Sequence, residues 1–349
     1  MHDRFDWDNP NNDLLWEMAG KYGTPYFANY LNSDMNPEDA RSMCCRLRLD
    51  KRELLKRGGG LFGSAEKTGS IGVVTLNLPR YGYSAKDKET LFDLIDTYMT
   101  LAKVSLELKR KFLQEQIDRG LLPAFSEYVG TIDNHFSTIG LLGLNEMCHN
   151  FIGKGINTEE GHKLSVEVLE HMREKVADFQ EETGNLYNLE ATPAESTCYR
   201  LAMKDVRRYD DIYTKTGENN EPYYTNSCHL PVDEVENITH LFDHQNDLQK
   251  EFTGGTVVHV YLEESISGEK IKKILKNVCE KYEVPYISFS PVYSVCSEHG
   301  FLKGYYEQCP NCGQTTESYQ RITGYIRPIS KFNAGKRAEF FDRKQIVVS

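Results

Sequence analysis

Arg321–Lys336 reads RITGYIRPISKFNAGK, and the rest of the chain is best understood outward from it. Gly324 and Gly335 permit backbone conformations that other residues avoid. Pro328 fixes a turn between them. A plain surface loop has little use for Arg321, Tyr325, Phe332 and Asn333 gathered around two glycines. The expectation is a tight loop that enters the protein interior. On residues alone, the alternative is a C-terminal turn with one left-handed glycine.

Just upstream, Cys296-x-x-His299 and Cys309-x-x-Cys312 form two paired-ligand motifs, followed by Gly300 and Gly313. This spacing suits a tetrahedral zinc ribbon, and four protein ligands imply a closed, structural site. Iron is a smaller alternative. Lys303, Lys331, Lys336 and Arg337 lie nearby, as they would in a nucleic-acid-binding ribbon. The formal net charge of −11 argues against that use.

The 349 residues suffice for one large or two ordinary domains, and 39% apolar content supplies a core. No stretch reaches transmembrane length. The opening MHDRFDWDNPNNDLL is acidic and polar, unlike a secretory signal. Nine cysteines, three of them in the metal motif, suit a reducing compartment, so the expected location is cytoplasmic.

Along the chain, Leu14 to Tyr22 is a short helical patch. Arg41–Leu47 places Cys44 and Cys45 between arginines. Nearby cations favour thiolate, while free cysteine is often plain core; the pair alone leaves both readings open. The glycine-rich Lys56–Gly72 lacks the G-K-[ST] ending of a phosphate loop. It feeds a strand over Val73–Leu78, closed by Pro79. Asp87–Gly120 is a helix whose expected buried face is Leu91, Leu94, Ile95, Tyr98, Leu101, Ala102 and Ser105. Ile139–Leu144 reads as a buried strand ending in Asn145, Glu146, Cys148 and His149, where a rigid element can aim chemistry.

Thr158–Gly184 is a second long helix capped by Thr158. Thr192-Pro193 suits a helix entry, leaving the Ala194, Glu195 and Ser196 amides as donors for phosphate. Asn226, Ser227 and His229 are candidates to line an interior. Val257–Tyr261 and Val284–Phe289 read as strands around a helix at Glu269–Glu283. Strands alternating with helices give an α/β class.

RITGY followed by FNAGK resembles the glycyl-radical loop of anaerobic (class III) ribonucleoside-triphosphate reductases. M-x-C-R around Cys45, G-V-V-T-x-N-L-P-R, G-L-N-E and T-P-A-E-S resemble further segments of that family in the same order. The resemblance implies the C-terminal portion of a ten-stranded glycyl-radical-enzyme barrel. Residues 1–290 would be the barrel part, with a finger loop near 41–47. Residues 291–315 would be the zinc ribbon, and 316–349 the radical loop and tail. It assigns the glycyl radical to Gly324, the thiyl radical to Cys45, the general base to Glu146 with Asn145 orienting, and substrate phosphate binding to Thr192, Ala194, Glu195 and Ser196.

The implied activity is anaerobic reduction of ribonucleoside triphosphates to deoxyribonucleoside triphosphates. The implied partners are an S-adenosylmethionine/iron–sulfur activating enzyme and a reductant, either a thioredoxin-like protein or formate. Glu146, together with Ser70 where formate-using members carry Asn, leans towards the thioredoxin-like reductant. The family protein is about twice this length, so the N-terminal half, with its nucleotide-binding regulatory region, is expected as a separate chain or as the missing part of a longer one. The complete enzyme is expected to be a homodimer, with no membrane or nucleic acid involved. Two other readings remain: another glycyl radical enzyme, or a non-catalytic zinc-ribbon fragment that binds a partner.

Overall fold

The segment HFSTIGLL, His135–Leu142, is buried along its whole length. A central parallel strand, paired on both edges, is expected to be. It is the middle strand of the sheet that carries the site in this computed structural model, which describes residues 1–33, 68–217 and 220–348. In chain order the helices are α1 (Asp13–Tyr22), α2 (Leu78–Ser84), α3 (Lys88–Asp118), α4 (Pro123–Tyr128), α5 (Leu144–Ile152), α6 (Glu159–Thr183), α7 (Glu195–Val206), α8 (Ile238–Gln249), α9 (Gly268–Lys281) and α10 (Ala334–Asp342). The strands are β1 (Phe27–Ala28), β2 (Gly69–Asn77), β3 (His135–Leu142), β4 (Leu186–Glu190), β5 (Lys215–Thr216), β6 (Pro222–Tyr223), β7 (Val258–Leu262), β8 (Tyr286–Pro291), β9 (Tyr293–Cys296), β10 (Gly300–Lys303), β11 (Glu317–Arg321) and β12 (Ile326–Pro328).

β2, β3 and β4 pair in parallel, with Asn77 opposite Leu142 and Gly140 opposite Glu190. Their carboxyl ends therefore share one edge. The crossovers run through α3 and α6; Thr158 caps α6 as the sequence suggested, accepting from the Gly161 amide, and Asp87 caps α3, accepting from the Thr90 amide. The first core joins the sheet to α3 and α6 through Leu91, Ile95, Met99, Ile139, Val168, Met172 and Leu189. Each such side chain contributes roughly 1.5–3 kcal/mol by burial.

The buried face of α3 differs from the expected one. Leu91, Ile95, Met99, Ala102 and Leu106 face the core with Leu94 half-buried beside them, whereas Ser105 and Leu101 are exposed and Tyr98 is partly so, stacked on Tyr81. The helix carries a second apolar stripe, Tyr98, Leu101, Val104, Leu108 and Phe112, and the sequence pattern mixed the two.

A second sheet, β1-β8-β7, pairs β8 in parallel with β7 and antiparallel with β1. It packs against α1 and α9 through Trp16, Phe27, Ile271, Leu275 and Phe289. The third sheet, β10-β9-β11-β12, is antiparallel. Its strand β9, which ends at Cys296 of the paired-ligand motif, pairs directly with β11, which leads into Gly324. β5 and β6 form a small hairpin. Among the described residues these sheets are open, and no ten-stranded barrel closes. Nor is any described helix long and apolar enough to cross a membrane.

Candidate functional site

The chain turns from β3 into α5 at Gly143, whose φ of +69° lies where glycine is favoured. Glu146 is thus in the first turn of a helix, not at a strand end as expected. The difference arises because the apolar run Ile139–Leu144 spans the strand, the turn and the start of the helix. Glu146 is fully buried. It accepts the Thr225 hydroxyl at 2.6 Å, the Thr225 amide at 3.1 Å and the Asn145 side-chain amide at 3.1 Å. Burial pushes its carboxyl above the ordinary value, against the pull of these donors. Asn145 also accepts the Ile156 amide at 3.2 Å, so its side chain is fixed between loop and carboxylate.

Cys148 and His149 take structural places. Burial pushes the Cys148 thiol up to about 12, and its sulfur lies against Ser165. His149 stacks on Tyr213 with ring centroids 4.0 Å apart, and burial lowers its pKa.

The turn after β4 begins α7 at Glu195, with Pro193 outside the helix, not in its first turn as expected. The Ala194 amide donates to the Thr192 carbonyl and the Glu195 amide to the Pro193 carbonyl, both at 2.8 Å. Those two amides are engaged in the turn itself and are not the spare donors that the sequence suggested. The Thr192 hydroxyl is buried without a partner. The Glu195 side chain reaches across to Arg321–Lys336: its Oε1 accepts the Gly324 amide at 2.9 Å.

Gly324 sits at the tip of the β11–β12 hairpin, where the Ile322 amide donates to the Tyr325 carbonyl at 3.0 Å. Neither Gly324 nor Gly335 has the positive φ that the sequence suggested. Gly335 is needed for closeness, because a Cβ there would lie 2.6 Å from the Tyr199 ring on α7. Gly324 has no such constraint: the nearest atom to a Cβ would be Glu195 Oε1, 3.6 Å away. Arg321 and Phe332 are buried and Asn333 caps α10, but Tyr325 is about half exposed and does not pack around the glycines.

Beyond the loop, α10 carries a buried charge ladder. Lys336 Nζ donates to the Asn226 and Glu339 side chains, and Arg343 donates to Glu339 at 2.8 Å. Burial alone would raise the Glu339 carboxyl, yet Lys336 and Arg343 outweigh it and hold the group below its ordinary value. Lys336 is therefore no part of a basic surface. A cavity is lined by Thr225, which holds Glu146, by Thr323, next to Gly324, and by Asn226, His229, His259 and Glu339. Ser227 lies beside it, buried, with φ +45°.

The ligand atoms of Cys296, His299, Cys309 and Cys312 all lie within 4.8 Å of one another. Cys296 Sγ is 3.6 Å from Cys312 Sγ and 3.8 Å from His299 Nδ1, which is 3.7 Å from Cys309 Sγ. Tetrahedral ligands at Zn–S and Zn–N bond lengths are separated by about 3.6–3.8 Å. The four donors can thus hold one ion with no open position. Gly300 and Gly313, at φ +69° and +72°, turn the chain after each pair.

Cys44 and Cys45, with the finger loop at 41–47, lie outside the described residues. Sequence reasoning missed Tyr26, Thr225 and the Lys336–Glu339–Arg343 ladder. The ladder had a readable signal, since positions i, i+3 and i+7 put three charges on one helical face among Ala338 and Phe340. Tyr26 had none, because its contacts are almost 300 residues away in sequence.

A family profile described as anaerobic ribonucleoside-triphosphate reductase matches residues 1–345. The chain is 27% identical over 304 residues to the anaerobic ribonucleoside-triphosphate reductase of Haemophilus influenzae, covering 77% of this chain and 41% of that protein. Its fold is similar to a solved anaerobic ribonucleotide reductase at TM-score 0.69 and 28% identity, over 81% of this chain and 46% of the other. The anaerobic ribonucleotide reductase from Thermotoga maritima, solved with MES in the active site, aligns at TM-score 0.65 and 30% identity over 76% and 45% of the two chains. The chain thus spans less than half the length of these relatives.

Proposed function

Given that the chain belongs to the anaerobic ribonucleoside-triphosphate reductase family, we propose that it is the radical-bearing C-terminal portion of such an enzyme. Together with the N-terminal portion of the reductase, it would reduce ribonucleoside triphosphates to deoxyribonucleoside triphosphates. The observation that carries this reading is a chain of contacts around one cavity: Thr225 on its wall holds Glu146 at the carboxyl edge of the parallel sheet, and Thr323 on the same wall precedes Gly324, whose amide Glu195 at the α7 entry holds. Ligand sites of α/β sheets lie at such carboxyl edges.

Gly324 loses a hydrogen atom to the S-adenosylmethionine/iron–sulfur activating enzyme and then takes one from the Cys45 thiol. The resulting thiyl removes the substrate 3′-hydrogen. Glu146 accepts the 3′-hydroxyl proton while Asn145 orients its carboxylate, and the 2′-hydroxyl leaves as water after gaining a proton. Two electrons and two protons enter from the external reductant, a thioredoxin-like protein or formate, and Cys45 returns the 3′-hydrogen. A base whose carboxyl is raised by burial suits proton transfer near neutral pH. The triphosphate binds at the turn of Thr192, Ala194, Glu195 and Ser196. There it displaces the Ala194 and Glu195 amides from their turn partners and meets the α7 N-terminus.

Zinc held by Cys296, His299, Cys309 and Cys312 would be structural, tying the end of β9 and the β9–β10 turn to the loop that leads into β11 and so fixing the base of the radical hairpin. The ten-stranded barrel, its finger loop and a homodimer belong to the complete assembly, in the cytoplasm. The test is anaerobic turnover: the chain, its activating enzyme, the N-terminal portion, reductant and a ribonucleoside triphosphate should yield deoxynucleotide. Glu146→Gln should lower the rate at least about a hundredfold, as loss of a general base does. A glycyl radical without any deoxynucleotide formation would point instead to a different reaction of the same radical.

A further inference from the structure

Gly324 is gripped on both sides of its Cα. On the amino side, Glu195 Oε1 accepts the Gly324 N–H at 2.9 Å. On the carbonyl side, the Tyr26 hydroxyl donates to the Gly324 oxygen, and Arg321 donates to the same oxygen at 3.4 Å and to the Tyr26 hydroxyl oxygen. Arg321 is buried, lies over the Tyr26 ring at 4.3 Å, and is held by the Gly23 carbonyl and the Ser290 hydroxyl. Glu195 is held in turn through its own carbonyl, which accepts from Asn333 at 3.4 Å. An acceptor therefore sits on the N–H and a cation-backed donor on the C=O. Nothing steric or conformational at this position demands glycine.

We infer that Glu195 and the Tyr26–Arg321 pair are positioning residues that stabilise a radical on the Gly324 Cα by polarising its two flanking amide groups. This rests on the reading of Gly324 as the radical site. Forming the radical passes one hydrogen atom, a proton with its electron, from Cα to the carbon-centred radical supplied by the activating enzyme. A neutral, three-coordinate Cα remains. Its unpaired electron is shared between an electron-releasing nitrogen and an electron-withdrawing carbonyl. The charge-separated form of that sharing is positive at nitrogen and negative at oxygen. A carboxylate on the N–H stabilises the first, and a tyrosine hydroxyl with a guanidinium on the carbonyl stabilises the second. Both contacts also hold the two amide planes, on which the delocalisation depends. A glutamate so engaged is not a ligand for phosphate, which it would repel, so the Glu195 side chain has a role apart from the amides of its turn.

The test compares wild type with the near-isosteric Glu195→Gln and Tyr26→Phe and with Glu195→Ala, each as the full chain with its partner portion and activating enzyme. Amide hydrogen exchange reads the grip without any radical, and paramagnetic resonance reads the radical. Exchange of the Gly324 segment should rise in the order wild type, Glu195→Gln, Glu195→Ala, by about tenfold at the end of the series. After activation, the half-life of the glycyl signal should fall in the same order, at least threefold for Glu195→Ala, and should fall for Tyr26→Phe. Glu195→Gln should restore part of what Glu195→Ala loses, because its carbonyl oxygen still accepts. A wild-type glycyl signal with unchanged half-life and line shape in all three variants overturns this inference alone. Absence of the signal in wild type overturns the radical reading, and this inference with it.

Discussion

Gly324 is the residue at which chemistry and geometry separate most cleanly. An alanine at this position would meet only Glu195 Oε1, at an ordinary contact distance of 3.6 Å. Gly324→Ala should therefore fold as wild type, with a stability change within about 0.5 kcal/mol in urea denaturation, while losing all turnover. A large loss of stability would mean that the glycine serves the backbone. Glu146 gives a second residue-scale expectation. Its folded pKa is raised by burial, so the stability it contributes is full below the ordinary carboxyl pKa and is lost as pH rises through the folded value. Glu146→Gln should thus gain stability relative to wild type as pH rises from about 4.5 towards neutrality. Parallel denaturation midpoints for the two proteins across that range would contradict the burial argument.

At the scale of elements, the hairpin belongs to the sheet that starts from the Cys/His cluster, and the end of α10 anchors it through Arg343, which donates to the Arg321 and Ile322 carbonyls. Glu339 is the single carboxylate between Lys336 and Arg343, all three buried. Glu339→Ala leaves two buried cations without their counter-charge and should cost roughly 3–5 kcal/mol in chemical denaturation. Because the Glu339 pKa is depressed, its contribution is present above the ordinary carboxyl pKa and disappears as pH falls through the folded value. The destabilisation by Glu339→Ala should shrink in acid below about pH 4.5. A penalty that does not vary with pH would show that packing, not charge, is lost. Cys296 ends β9, His299 sits in the β9–β10 turn, Cys309 and Cys312 lie in the loop between β10 and β11, and β9 pairs with β11. Chelation under reducing conditions should speed amide exchange through Tyr293–Arg321 and the Gly324 tip, leaving the α3–β3 core as protected as before. Unchanged exchange after the metal has been removed would refute the structural role.

At the scale of the molecule, the sequence made the α/β class, both long helices and the Cys296, His299, Cys309 and Cys312 cluster legible, because each rests on local periodicity or spacing. The α3 face was misassigned because two apolar stripes share that helix, and periodicity alone cannot say which meets the core. Glu146 was found but placed at a strand end, since the apolar run continues unbroken from β3 into α5. The grip of Tyr26 and Glu195 on Gly324 was not legible at all, because it joins segments 298 and 129 residues apart from the loop. The family resemblance located the loop; the structure added what surrounds it.

The central claim is that this surrounding holds a radical on Gly324. It is tested most directly by paramagnetic resonance of the anaerobically activated protein. The account predicts a doublet split by the one hydrogen left on the Gly324 Cα. That doublet should collapse to a singlet when the glycines carry deuterium at Cα, and vanish in Gly324→Ala. A doublet that persists in Gly324→Ala, or no glycyl signal under activation with the partner portion present, would contradict it.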